Sequence, residues 1–169
     1  MPTPQYPQRG FTYLGLLILV ALIGMTATAT LQLGAVVARR DAEAELLAIG
    51  EEFRAAFLSY ANATPAGQTR YPARLEELLK DTRFPRPVRH LRRIYVDPVS
   101  GKEEWGVVEA PGGNGIIGVY SLAEGRPIKT ANFKSHDLDL VGKTSYRDWK
   151  FTLPADALTP AGPLAARQE

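Results

Sequence analysis

Arg9-Gly10-Phe11-Thr12-Tyr13-Leu14-Gly15 marks an abrupt change in this chain, from a short polar leader to an apolar run that reaches about Leu33. No charged side chain occurs between Phe11 and Leu33. Roughly 20 such residues, at about 1.5 Å rise each, match the hydrocarbon core of a bilayer. No proline interrupts the chain from Phe11 to Thr64, so one helix of about 50 residues, some 75 Å long, is expected. Its second half changes character. Leu46, Ile49, Phe53, Phe57 and Tyr60 recur at spacings of three and four, with Glu43, Glu45, Glu51, Glu52 and Arg54 between them. That is the pattern of an amphipathic helix with one buried face. Gly24, Gly34 and Gly50 each weaken the helix by about 1 kcal/mol relative to alanine and mark bends or close contacts.

Asn62, Thr64, Pro65 and Gly67 end this helix. Tyr71-Pro72 opens a shorter one, with Leu75, Leu78 and Leu79 on one face and Pro85 and Pro87 as stops. Ile94-Tyr95-Val96, Trp105 to Val108, Ile116 to Leu122 and Tyr146 to Leu153 are the strand candidates, and Pro111-Gly112-Gly113-Asn114-Gly115 joins the middle two as a hairpin. Laid against the stripe from Leu46 to Tyr60, these strands would close a core. The expected class is α+β, one long N-terminal helix packed on a small antiparallel sheet. Its upper half would be transmembrane and its lower half amphipathic. The expected organisation is a leader over 1–10, a transmembrane or filament-core helix over 11–38, a globular domain over 39–153 and a tail over 154–169. The chain is 169 residues long, 45% apolar and 22% charged, which suits one folded domain behind the helix.

An N-terminus of this kind has three readings: a secretory signal, a plain anchor, or a prepilin leader. A secretory signal has an apolar core of only about 7 to 15 residues. Arg9, Gly10, Phe11, Thr12, Leu14, Leu16, Leu17 and Ile23-Gly24 resemble the type IV pilin and type II secretion pseudopilin group. Asp97-Pro98 with Gly101 and Trp105, then Val119-Tyr120-Ser121-Leu122, is similar to segments of the major-type pseudopilins. The resemblance implies a pilin-like fold, cleavage between Gly10 and Phe11 by a prepilin peptidase, and methylation of the new amine of Phe11. Assembly would run through Phe11, Leu14, Gly15, Leu16, Leu17 and Gly24 into a filament that drives protein export. Implied partners are other pseudopilins, a platform protein, an assembly ATPase and the inner membrane. The implied location is a single inner-membrane pass with a periplasmic domain. Arg9 lies before the apolar run and Arg39 and Arg40 after it, so that orientation rests on the resemblance alone. Alternatives are a minor pilin of a type IV pilus and an anchored binding protein that never polymerises.

Gly15 departs from the pattern, since relatives usually carry glutamate there. Either a filament-tip position or assembly by packing alone would accommodate it. The relatives bind calcium in the loop after the Tyr-Ser-Leu strand, which here reads Ala123-Glu124-Gly125-Arg126-Pro127-Ile128-Lys129-Thr130. Glu124, Asp137 and Asp139 are the acids that could supply a calcium site from two loops, although Arg126 and Lys129 oppose the charge.

Lys80, Arg83, Arg86, Arg89, His90, Arg92 and Arg93 form a basic cluster interleaved with Phe84 and Tyr95. Without a nucleic-acid-binding fold this is weak evidence for a phosphate-backbone partner. The better readings are a solvated loop or a face that meets acids of a neighbouring subunit. The chain has two histidines and no cysteine, and carries no Walker or Rossmann glycine loop. No catalytic function is expected.

Overall fold

The structure, a computed structural model, describes residues 11–65 and 67–154, apart from the side chains of residues 11, 12 and 24–33. The fold is α+β. Helix α1 runs over Phe11–Asn62 and α2 over Glu76–Leu79, and strands β1 (Trp105–Glu109), β2 (Ile116–Ser121) and β3 (Lys150–Thr152) form one antiparallel sheet in the order β1-β2-β3. Two 3-10 turns, Ser135–Leu140 and Tyr146–Asp148, precede β3. By its contacts the chain divides into two units, Met1–Arg40 and Asp41–Glu169.

In the second unit, Leu46, Ile49, Phe53, Ala56, Phe57 and Tyr60 of α1 are buried in one cluster with Trp105, Val119, Trp149 and Phe151. Fully burying a large apolar side chain contributes about 1.5–3 kcal/mol, so this stripe dominates the stability of the unit. Phe53 meets Trp105 edge-on at 5.1 Å between ring centroids. Gly50 is the point of closest approach between helix and sheet, where a Cβ would collide with the Phe151 ring. The β1–β2 hairpin turns through Pro111 to Gly115, as its glycines predict, and a bulge between Val108 and Glu109 shifts the register next to the turn.

Three segments depart from the sequence reading. Ile94 to Val96 joins no strand, and the Tyr95 carbonyl instead accepts the Trp105 indole Nε1–H at 2.8 Å. The helix after Pro72 shrinks to four residues because its backbone serves other partners. Pro72 O accepts Ile116 N at 2.8 Å, and Leu78 O accepts both His90 N and Leu91 N at 2.9 Å. Only residues 150–152 of the expected last strand are extended. Tyr146 and Trp149 are both fully buried, and a three-residue period puts them on one side where strict alternation would not.

The first unit requires a larger correction. Among the described residues no helix is long and apolar enough to cross a membrane, which overturns the single-pass inner-membrane location and the periplasmic placement tied to it.

Candidate functional site

Of the residues expected to mediate processing and assembly, Gly10 lies outside the described residues, as do the side chain of Phe11 and the surroundings of Gly24. Leu14, Leu16 and Leu17 are described and lie within a continuous exposed run from Tyr13 to Ile23. Its large apolar side chains are between 49% and 67% exposed. A Cβ on Gly15 would meet nothing within 4 Å. Leaving such a run in water forgoes about 1.5–3 kcal/mol per large side chain, and a contiguous apolar surface of this kind marks an interaction site.

The second unit brings together the two segments that carry the family resemblance. Asp97 closes the Asp-Pro turn by accepting Val99 N at 2.9 Å on its carboxylate and Gly101 N at 2.8 Å on its carbonyl. Its other carboxylate oxygen accepts the Ser121 hydroxyl at 2.6 Å, with both residues fully buried. Ser121 Oγ accepts Ala123 N at 3.0 Å in turn. The turn and the Tyr-Ser-Leu strand are thus one hydrogen-bonded structure.

A second tie was hidden in the sequence. Glu43, read there as one of the polar residues between the apolar positions, is 1% exposed. It accepts Ile128 N at 2.6 Å, Lys129 N at 2.9 Å and the Tyr146 hydroxyl at 2.6 Å. This carboxylate holds the loop after β2 against the helix. The available signal was its place three residues before Leu46 and seven before Gly50, on the buried face.

The basic cluster separates into two groups. Arg83 is internal: its guanidinium forks onto both oxygens of Asp81, at 2.9 and 2.7 Å, and reaches Tyr60 O and Thr69 O at 2.9 Å. It also lies 3.6 Å over the Tyr60 ring. His90 is likewise interior, with Nε2 3.2 Å from Asp81 and Nδ1 2.8 Å from Ser59 Oγ. Burial alone would push the Asp81 carboxyl up, but the Arg83 and His90 hydrogen bonds and the Arg83 charge outweigh it and pull it down to about 2. Burial and the bond to Glu77 raise the Tyr60 hydroxyl. Arg86, Arg89, Arg92 and Arg93 stay exposed.

Ser59, His90 and Asp81 follow the order of a hydrolytic triad. Arg83 already saturates the carboxylate, and Ser59 sits inside α1, where neighbouring amides are committed to carbonyls four residues back. With no amides free beside Ser59 to stabilise an oxyanion, the three residues act as a structural tie.

The acids considered for calcium are not assembled. Among the described residues no group of three or more metal-ligating side chains occurs. Arg54 explains why, since its guanidinium pairs with buried Asp137 and lies 3.9 Å from Asp139. Glu124 is exposed. Beside this pair, Glu51 is held below the usual carboxylate range first by its hydrogen bond from Lys134, with the charges of His136, Lys134 and Arg54 outweighing its slight burial.

Compared with protein-family models, curated proteins and solved structures, the chain finds no match.

Proposed function

We propose that this chain is a structural subunit of a pilin-like filament, a pseudopilin of the type II secretion kind, cleaved after Gly10 and methylated at Phe11. The observation that carries the proposal is the exposed apolar run from Tyr13 to Leu22, whose large side chains face solvent among the described residues. Helices of further copies would cover it. The absence of a side chain at Gly15 lets such helices approach closely, as small residues do where apolar helices associate by packing. The hydrogen-bonded pair Asp97 and Ser121 adds support, because it joins the two segments that resemble pseudopilins. Proposed partners are other pseudopilins, a prepilin peptidase, an assembly ATPase and a platform protein.

N-terminal mass analysis of the chain purified from its own host tests this reading. The expected mature form begins at Phe11 with a methyl group on its amine. An intact leader, or cleavage elsewhere, would defeat the proposal.

A further inference from the structure

The charges of the second unit are segregated. Residues 70–93 hold eight Arg or Lys against three Asp or Glu, whereas residues 41–62 hold five acids against one arginine. Internal ties consume part of each set. Arg83 is spent on Asp81, Glu43 on the loop after β2, and Glu51 on Lys134. Among those that remain on the basic side, Arg86, Arg89 and Arg92 lie close together in the sequence, are exposed and have no ion pair or side-chain hydrogen bond among the described residues. On the acidic side Asp41, Glu45 and Glu52 are likewise exposed and unpaired.

Both groups are presented on defined backbone. Arg86 lies in a loop closed by Asp81 N to Val88 O at 2.8 Å and is flanked by Pro85 and Pro87, which restrict its backbone, while Arg89 and Arg92 flank a segment held by His90 N and Leu91 N on Leu78 O at 2.9 Å. Asp41, Glu45 and Glu52 recur with exposed Ala48 and Ala55 at spacings of three and four, which places all five on one side of α1, away from the buried stripe. Alanines between the acids leave room for a neighbouring chain to approach the helix.

We propose that the arginine loop of one copy docks on this acidic face of α1 in a second copy. The chemistry favours a second copy over a polyanion. Each chain carries both complementary surfaces, and the acids of residues 41–62 would repel a phosphate backbone. Different surfaces meet on the two copies, so the contact is heterologous and can repeat from copy to copy, which is the kind of contact an open filament requires. The docking rests on the subunit reading above and adds to it the face that sets which copies adjoin.

Cross-linking and sedimentation of the full chain at about 0.05 M and about 0.5 M salt test it, because exposed pairs are screened over roughly 8–10 Å at physiological ionic strength. Each exposed pair contributes little, so three together are expected to change assembly by about tenfold. R86E/R89E/R92E and D41K/E45K/E52K should each lower the assembled fraction by about that factor. Mixing the two reversed chains should restore it, and R86Q/R89Q/R92Q, which removes the attraction without adding repulsion, should give an intermediate loss. Unchanged assembly in both reversed chains, or no recovery on mixing, overturns the docking. Salt-sensitive binding of a short DNA duplex that the arginine reversal abolishes, with assembly unaltered, overturns it in favour of nucleic acid. If Leu16→Lys abolishes assembly while the charge reversals do nothing, the docking fails and the subunit reading stands. A wild-type chain that remains monomeric at every salt and protein concentration defeats both.

Discussion

The two units of this chain solve opposite problems with the same kind of helix. From Leu46 to Tyr60, α1 buries its apolar face on the sheet, and even its inward carboxylate, Glu43, has three hydrogen-bond donors. From Tyr13 to Ile23 the same helix exposes one large apolar side chain after another. The folded core and the surface proposed for assembly therefore differ in what covers them, and substitutions should separate them accordingly. Changes in the second unit should cost stability of the isolated chain, and changes in the first should cost only association.

The sharpest test of the buried side is Glu43→Ala. Three donors would lose their acceptor in a site that excludes water, and each unsatisfied group costs about 1–3 kcal/mol. A loss of about 3 kcal/mol in urea unfolding is expected, with faster amide exchange at Ile128 and Lys129. Glu43→Gln retains an acceptor oxygen and should lose less. Full stability in Glu43→Ala would mean that the loop after β2 is held by other contacts.

Acid probes the second buried tie. Asp81 sits at about 2 in the folded chain against an ordinary value of 3.8. A depressed carboxyl contributes stability that is fully present above its unfolded value and is lost as pH falls through the folded one, here from about 4 towards 2. At 1.36 kcal/mol per unit the contribution is on the order of 2 kcal/mol. Arg83→Gln should remove most of this dependence, visible as a flatter plot of stability against pH across that window.

Glycines set the two units side by side in a single kind of substitution. Gly50→Ala drives a methyl group into the Phe151 ring. Overpacking of this kind costs about 1–3 kcal/mol, and the helix preference of alanine offsets about 1 kcal/mol of it. A net loss of up to about 2 kcal/mol is expected. A Cβ at Gly34 meets nothing within 4 Å, so Gly34→Ala should leave thermal unfolding of the second unit unchanged. Equal effects at both positions would remove the contrast between the units.

These differences also show what can be read along a chain and what cannot. The stripe from Leu46 to Tyr60 and the glycine-rich hairpin turn are legible because periodicity and turn chemistry are local properties. Asp97 and Ser121 were legible as motifs, although the bond between them was not. Glu43 reads as a surface acid because its partners lie 85 to 103 residues away. Arg54 and Asp137, 83 residues apart, are hidden for the same reason, and with them the fate of the expected calcium ligands. Ile94 to Val96 has the composition of a strand, but strand propensity depends on a paired neighbour, and the Asp97 turn and Trp105 claim that segment. An uncharged sequence run likewise suggested a membrane span that the described apolar helix does not provide.

The smallest effect on folding should come from the surface proposed to carry assembly. Leu16 is 56% exposed and lies outside the core of the second unit. Leu16→Lys should therefore shift unfolding by no more than about 0.5 kcal/mol, the usual range for a surface substitution. In an assembly of apolar helices the same lysine would carry an unpaired charge into a water-poor interface, where isolated charges are strongly disfavoured. Sedimentation should accordingly show the variant folded and unassembled under conditions in which wild type associates. A variant that assembles normally would show that Leu16 lies off the packed surface, whereas one that unfolds would show that the exposed run already has a partner within its own chain.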